Sequence, residues 1–86
     1  MKKNVMLLLL DRRTKEAVEV QKVLTKWGCI IKTRIGLHEG TGGECTDYGL
    51  IILELMGDEV QYEQFEQQLR GVPGVTTKLV TMEPAA

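Results

Sequence analysis

Charge imbalance is almost absent from this 86-residue chain, in which eleven Lys and Arg residues stand against twelve Asp and Glu for a net charge of −1. Phosphate backbones are held by a clustered excess of Lys and Arg, so direct nucleic-acid binding is not expected. Cysteine is scarce as well. Cys29 and Cys45 form neither a CxxC pair nor a dense disulfide framework, and reduced thiols in a cytoplasmic protein are the expectation. Lys2 and Lys3 precede an apolar run, but that run is only Val5 to Leu10 and Asp11-Arg12-Arg13 follows at once. It is shorter than the roughly 7 to 15 residues of an export signal and the roughly 20 of a membrane span, so neither a leader nor a membrane is expected. With one histidine, His38, and no Ser/His/Asp pattern, there is no reaction to assign and no enzyme is expected.

What is present is a periodic apolar pattern. Apolar residues at 43% and charged residues at 27% are the proportions of a folded globular chain. The length allows one domain, residues 1–86, with a small core: such a chain buries only about 60 to 65% of its unfolded surface. Val5 to Leu10 is continuously apolar between charged residues, which for six residues predicts a central strand buried on both faces. From Arg12 to Trp27 the spacing changes to threes and fours through Ala17, Val20, Val23, Leu24 and Trp27, a helix capped by Asp11 and ended by Gly28. Cys29 to Leu37 alternates as an edge strand, with Lys32 and Arg34 on its polar side.

Glu39 to Asp47 holds three glycines and no apolar period, so it reads as a loop. Tyr48 to Met56 is a second central strand. Asp58 with Gln61 resembles a capping box opening a second helix, whose buried stripe is Val60, Phe65, Leu69 and Tyr62. Gly71-Val72-Pro73-Gly74 ends it, and Val75 to Met82 is the last strand. Helical connections cross over between parallel strands, whereas the glycine-rich loop suits an antiparallel pair. The expected fold class is α+β: a ferredoxin-like βαββαβ sandwich with an antiparallel sheet of order 4-1-3-2 and both helices on one face.

The faces of the strands carry the functional argument. If Lys32, Arg34, Glu54 and Lys78 all avoid the helices, the helix side receives Val5, Leu7, Leu9, Ile31, Ile35, Ile51, Leu53, Leu55, Val75 and Leu79. The other face then carries Met6, Leu8, Leu10, Ile30, Leu50, Ile52, Val80 and Met82, which is too apolar for a surface in water. Large contiguous apolar patches mark interfaces, so these eight residues predict a homo-oligomer, a dimer or tetramer, or the docking of a partner protein. A shift of one residue in strand parity is the alternative.

Three stretches, Arg34-Ile35-Gly36-Leu37, Gly49-Leu50-Ile51-Ile52-Leu53 and Leu69-Arg70-Gly71-Val72-Pro73-Gly74-Val75, resemble the regulators found with the iron-only hydrogenase system. Their fold is similar to the ACT domain and to the C-terminal domain of the nickel-responsive repressor. The resemblance spans most of the chain and implies an oligomeric regulatory module that responds to a small ligand or a metal. ACT domains that bind amino acids carry Asp-x-Pro-Gly after the first strand, where this chain has Asp11-Arg12-Arg13-Thr14. The nickel repressor uses several histidines and a cysteine, where this chain has His38 as its single histidine and Cys45 in the adjacent loop. Such repressors also carry a DNA-binding segment before the first strand, which here begins at about residue 4, so regulation is expected to act through a partner.

His38, Glu39, Cys45 and Asp47 gather in or beside the second loop and are residue types that hold a ligand or, for His38 and Cys45, a borderline metal. Their spacing matches no strong zinc pattern, and an ordinary polar hairpin loop with an incidental histidine and cysteine is the better account. No cofactor is identified. Gly40-Thr41-Gly42-Gly43 lacks the lysine and the following helix of a phosphate loop, so it reads as turn chemistry. Cys29 is expected on the core face and inert, Cys45 the more exposed. Glu54, odd on an apolar strand, is expected to pair across strands with Lys32, Arg34 or Lys78. The first helix is basic and the second acidic, which suits two solvated faces or the orientation of a docking partner. Besides the regulatory reading, a structural or assembly subunit without ligand fits the apolar face, and an enzyme built at a subunit interface fits least.

Overall fold

The computed structural model describes residues 1–11, 14–38 and 49–85. Its elements are β1 (Lys3–Leu10), α1 (Thr14–Lys26), β2 (Ile31–His38), β3 (Gly49–Leu55), α2 (Glu59–Arg70) and β4 (Val75–Met82), with one 3-10 turn at Gly28–Ile30 leading into β2. The four strands form one antiparallel sheet in the order β2-β3-β1-β4, the expected order read from the other edge. Both helices pack on one face. There Met6, Leu8 and Leu53 from the sheet, Val20 and Leu24 from α1, and Phe65 and Leu69 from α2 are fully or almost fully buried in one cluster.

Helix α2 starts where its sequence says it should. The Gln61 amide donates to Asp58 Oδ1 at 2.8 Å and the Asp58 amide donates to Gln61 Oε1 at 3.0 Å, completing the capping box. The preceding Gly57 is held by Tyr62: its N–H donates to Tyr62 Oη at 2.7 Å, and that hydroxyl donates to its carbonyl at 2.9 Å. A Cβ at Gly57 would lie 2.5 Å from Gln61 Oε1, so the box needs glycine there. Asp58→Ala is expected to cost about 1 kcal/mol in urea unfolding and Asp58→Asn less, because Asn still accepts from the Gln61 amide. An Asp58→Ala midpoint equal to wild type would show that the box adds nothing. Gly74, at φ 84°, closes the turn into β4, and its carbonyl accepts from the Asp11 amide at 3.0 Å.

The strand faces differ from the sequence expectation in β1 and β2. Directly opposite residues of paired strands share a face, and the register sets Val5 against Glu54, Met6 against Leu53 and Leu8 against Ile51. Met6, Leu8 and Leu10 therefore point into the core, where they are buried, and Val5, Leu7 and Leu9 point away from the helices. A strand apolar at every position carries no alternation of its own, so only its register could decide this. In β2 the pairing slips between Ile31 and Thr33, a bulge that leaves Lys32 as the extra residue. Ile31 packs on the core as expected, but beyond the bulge Ile35 falls on the open face and Arg34 on the helix side.

Ile30 is buried because the chain enters β2 through the 3-10 turn and not as an extended strand, and the same turn leaves Cys29 exposed. Val60, 63% exposed, lies off the stripe made by Tyr62, Phe65 and Leu69 at spacings of three and four. The cap expected from Asp11 depends on residues 12 and 13, which lie outside the described residues; the described part of α1 begins at Thr14. Trp27 follows the last residue of α1; its indole N–H donates to Gln68 Oε1 at 2.9 Å and its ring lies 5.8 Å from that of Phe65.

Candidate functional site

One face of the sheet is covered by the helices, and the other presents its side chains in cross-strand rows. The upper row is Leu37, Leu50, Leu9 and Thr76, the middle row Ile35, Ile52, Leu7 and Lys78, and the lower row Thr33, Glu54, Val5 and Val80. Lys3 and Met82 pair below them. Eight apolar side chains thus adjoin one another, with Leu9, Ile35 and Leu37 close to half exposed. Of the residues expected on this face, Leu50, Ile52, Val80 and Met82 are here, whereas Met6, Leu8, Leu10 and Ile30 are in the core. The face is as apolar as expected, with Val5, Leu7, Leu9, Ile35 and Leu37 taking the missing places.

Apart from Lys78 on the β4 edge, charge on this face gathers at one corner. Glu54 Oε2 lies 3.1 Å from Lys3 Nζ and 3.9 Å from Lys32 Nζ, its side chain 29% exposed. Of the expected partners Lys32 is present; Arg34 is on the other face, Lys78 is separated by β1, and Lys3 takes the shorter contact. The hydrogen bond from Lys3 lowers the Glu54 pKa, aided by the charges of Lys3 and Lys32 and by the Thr33 hydroxyl, against a smaller upward push from desolvation. A folded-state value below the unfolded one means that the carboxylate stabilises the fold fully above the unfolded value, about 4.3, and that this is lost as pH falls through the lower folded value. The urea midpoint of wild type should therefore fall more than that of Glu54→Gln between pH 6 and pH 3. Parallel profiles would show that the cluster makes no net contribution.

On the helix side, the β2 edge leaves a groove of about 350 Å³. Ala17 and Gln21, one turn apart on α1, form one wall; Arg34 and Gly36 of β2 form the other; Leu10 and Ile51 form the floor. Two of the residues that line the groove, Ala17 and Gly36, are small, and a Cβ at Gly36 would still meet nothing within 4 Å. The sequence expectation placed Arg34 on the open face and so missed it. At the opposite end of the sheet a wider hollow is lined by Lys2, Lys3 and Lys32 together with Glu54, Asp58 and Glu59, a balance of charge that selects no ligand.

His38 is the last residue of β2, opposite Gly49 of β3. Glu39, Cys45 and Asp47, with which it was expected to form a ligand or metal site, lie outside the described residues. Among the described residues no three His, Cys, Asp or Glu side chains come together as a metal site, and no helix is long and apolar enough to cross a membrane.

No family model matches the chain, and no curated protein matches it. Solved structures do. The uncharacterized protein TM1266 from Thermotoga maritima superposes with a TM-score of 0.79 at 21% identity, over 96% of this chain and 100% of its own. CPII, a nitrogen regulatory PII-like protein from Thiomonas intermedia K12 whose structure is bound to ADP, AMP and bicarbonate, matches with a TM-score of 0.59 at 11% identity, over 100% of this chain and 98% of its own. A formyltetrahydrofolate deformylase from Pseudomonas putida KT2440 matches at 0.58 and 12% identity, over 91% of this chain but only 28% of the deformylase. At these identities the likeness is one of fold.

Proposed function

We propose that this chain is a small cytoplasmic regulatory module of ferredoxin-like fold that acts as a homo-oligomer, its open sheet face forming the contact between copies. The observation that carries the reading is the asymmetry of the sheet: one face is closed by two helices, and the other offers eight adjoining apolar side chains that nothing among the described residues covers. Patches of that extent on a small domain mark interfaces. A second copy supplies a matching apolar surface, as closed oligomers with self-complementary contacts require. A regulatory role that responds to a small ligand draws support from the likeness in fold to a PII-like nitrogen regulatory protein. A place beside iron-only hydrogenase rests on the sequence resemblance alone.

Leu7 sits in the middle row between Ile52 and Lys78, so a charge there meets the interface and leaves the core untouched. Light scattering of the wild-type protein should give a multiple of the 9.7 kDa chain mass, and Leu7→Glu should give 9.7 kDa with an unchanged circular-dichroism spectrum. A wild-type monomer at tens of micromolar, or a Leu7→Glu protein that keeps the wild-type mass, would overturn the reading.

A further inference from the structure

The groove beneath α1 has the makings of a selective site. Its floor, Leu10 and Ile51, and its Ala17 wall are apolar, while Arg34 brings a guanidinium to its edge and Gln21 an amide. The backbone register fixes that arrangement: Arg34 is opposite Leu53 and Gly36 opposite Ile51, so both face the helix side. Among the described residues Arg34 enters no ion pair. The volume is at the lower end of the range that takes small organic ligands, about 300 to 1,000 Å³. Among the described residues the cleft joins an apolar interior to a permanent cation, Arg34, at its rim, which favours a ligand of the same division: an anionic group on a short hydrocarbon body.

We propose that this groove binds a small carboxylic acid with an apolar body, Arg34 pairing with the carboxylate and Leu10, Ala17 and Ile51 enclosing the hydrocarbon. The inference rests on the ligand-responsive part of the function proposed above and names the chemistry of that ligand. Guanidinium matches a carboxylate in a planar, two-point contact, which an uncharged analogue cannot supply. Gly36 offers a second handle, because a Cβ built there meets nothing within 4 Å. Gly36→Val therefore fills the groove without crowding the sheet, and valine suits a strand.

Titration calorimetry with 4-methylpentanoate, with 4-methylpentan-1-ol as the uncharged analogue and L-leucine as the same skeleton bearing an ammonium group, tests the assignment. The acid should bind at least about tenfold more tightly than the alcohol, and Arg34→Gln should remove that preference. Gly36→Val should abolish binding of the acid while melting no lower than wild type. Leucine binding as tightly as the acid marks an amino acid as the natural form, and weaker binding marks a simple acid; either agrees with the proposal. No acid binding at 10 mM, equal binding of acid and alcohol, or a Gly36→Val protein that binds the acid like wild type would overturn it. Assembly mass is recorded on the same samples, so loss of the groove with an intact oligomer is distinguished from failure of the oligomer itself.

Discussion

Leu8→Glu should leave no cooperatively folded protein, although Leu7→Glu, one residue away, should fold normally. Leu8 is 0% exposed at the centre of the sheet, opposite Ile51 and Thr77 and within the cluster that holds Phe65 and Leu69. Truncating a buried leucine alone costs about 2 to 5 kcal/mol. A carboxylate there has no buried charged partner among the described residues, and burying it adds several kcal/mol more, whether it stays ionised or takes up a proton. A domain of this size has a total stability of only about 4 to 13 kcal/mol. The sum of the two costs is comparable with all of it. Far-UV circular dichroism and urea titration would read the outcome, with Leu8→Met, expected to lose less than about 1.5 kcal/mol, as the control for shape. A Leu8→Glu protein that unfolds cooperatively near the wild-type midpoint would mean that β1 faces the other way, and the open-face assignment would fall with it.

Phe65→Ala is the second large effect, at about 3 to 5 kcal/mol. Phe65 is fully buried on α2 and its ring is inclined at 42° to that of Trp27, 5.8 Å away, so it joins the end of α1 to α2. The hydrogen bond from Trp27 to Gln68 spans the same junction, and the cavity left by the ring would loosen both. At fixed protein concentration the urea midpoint should drop by about 2 M. Trp27 emission should shift to the red as water reaches the indole. A midpoint within a few tenths of wild type would show that the helices repack over the gap.

Most elements were legible in the sequence because each has its own local signal. The period of 3.6 in α1, the capping box of Asp58 and Gln61, and the turn at Gly71 to Gly74 depend on neighbours no more than four residues apart. The strand order followed from two helical crossovers and the apolar character of β1 and β3, which mark them as central because both of their faces are apolar. The exceptions arose where position depends on distant residues. Cys29 and Ile30 read as the start of an alternating strand, yet the chain turns there in a 3-10 helix and sends one outward and the other into the core.

The candidate sites were less legible. That one sheet face would be apolar could be read from the composition of the strands, since β1 and β3 are apolar on both sides. Which residues form it could not, because Val5 to Leu10 is apolar at every position and the bulge after Ile31 has no mark in the sequence. The groove beside Arg34 was invisible for the same reason, as its walls belong to α1 and β2 and meet only through the sheet. By itself the sequence determined the number, kind and order of the elements and the surplus of apolar surface. The tertiary structure alone decided the register, and in a sheet whose side chains alternate with a period of two, a register offset of one residue exchanges the core for the surface.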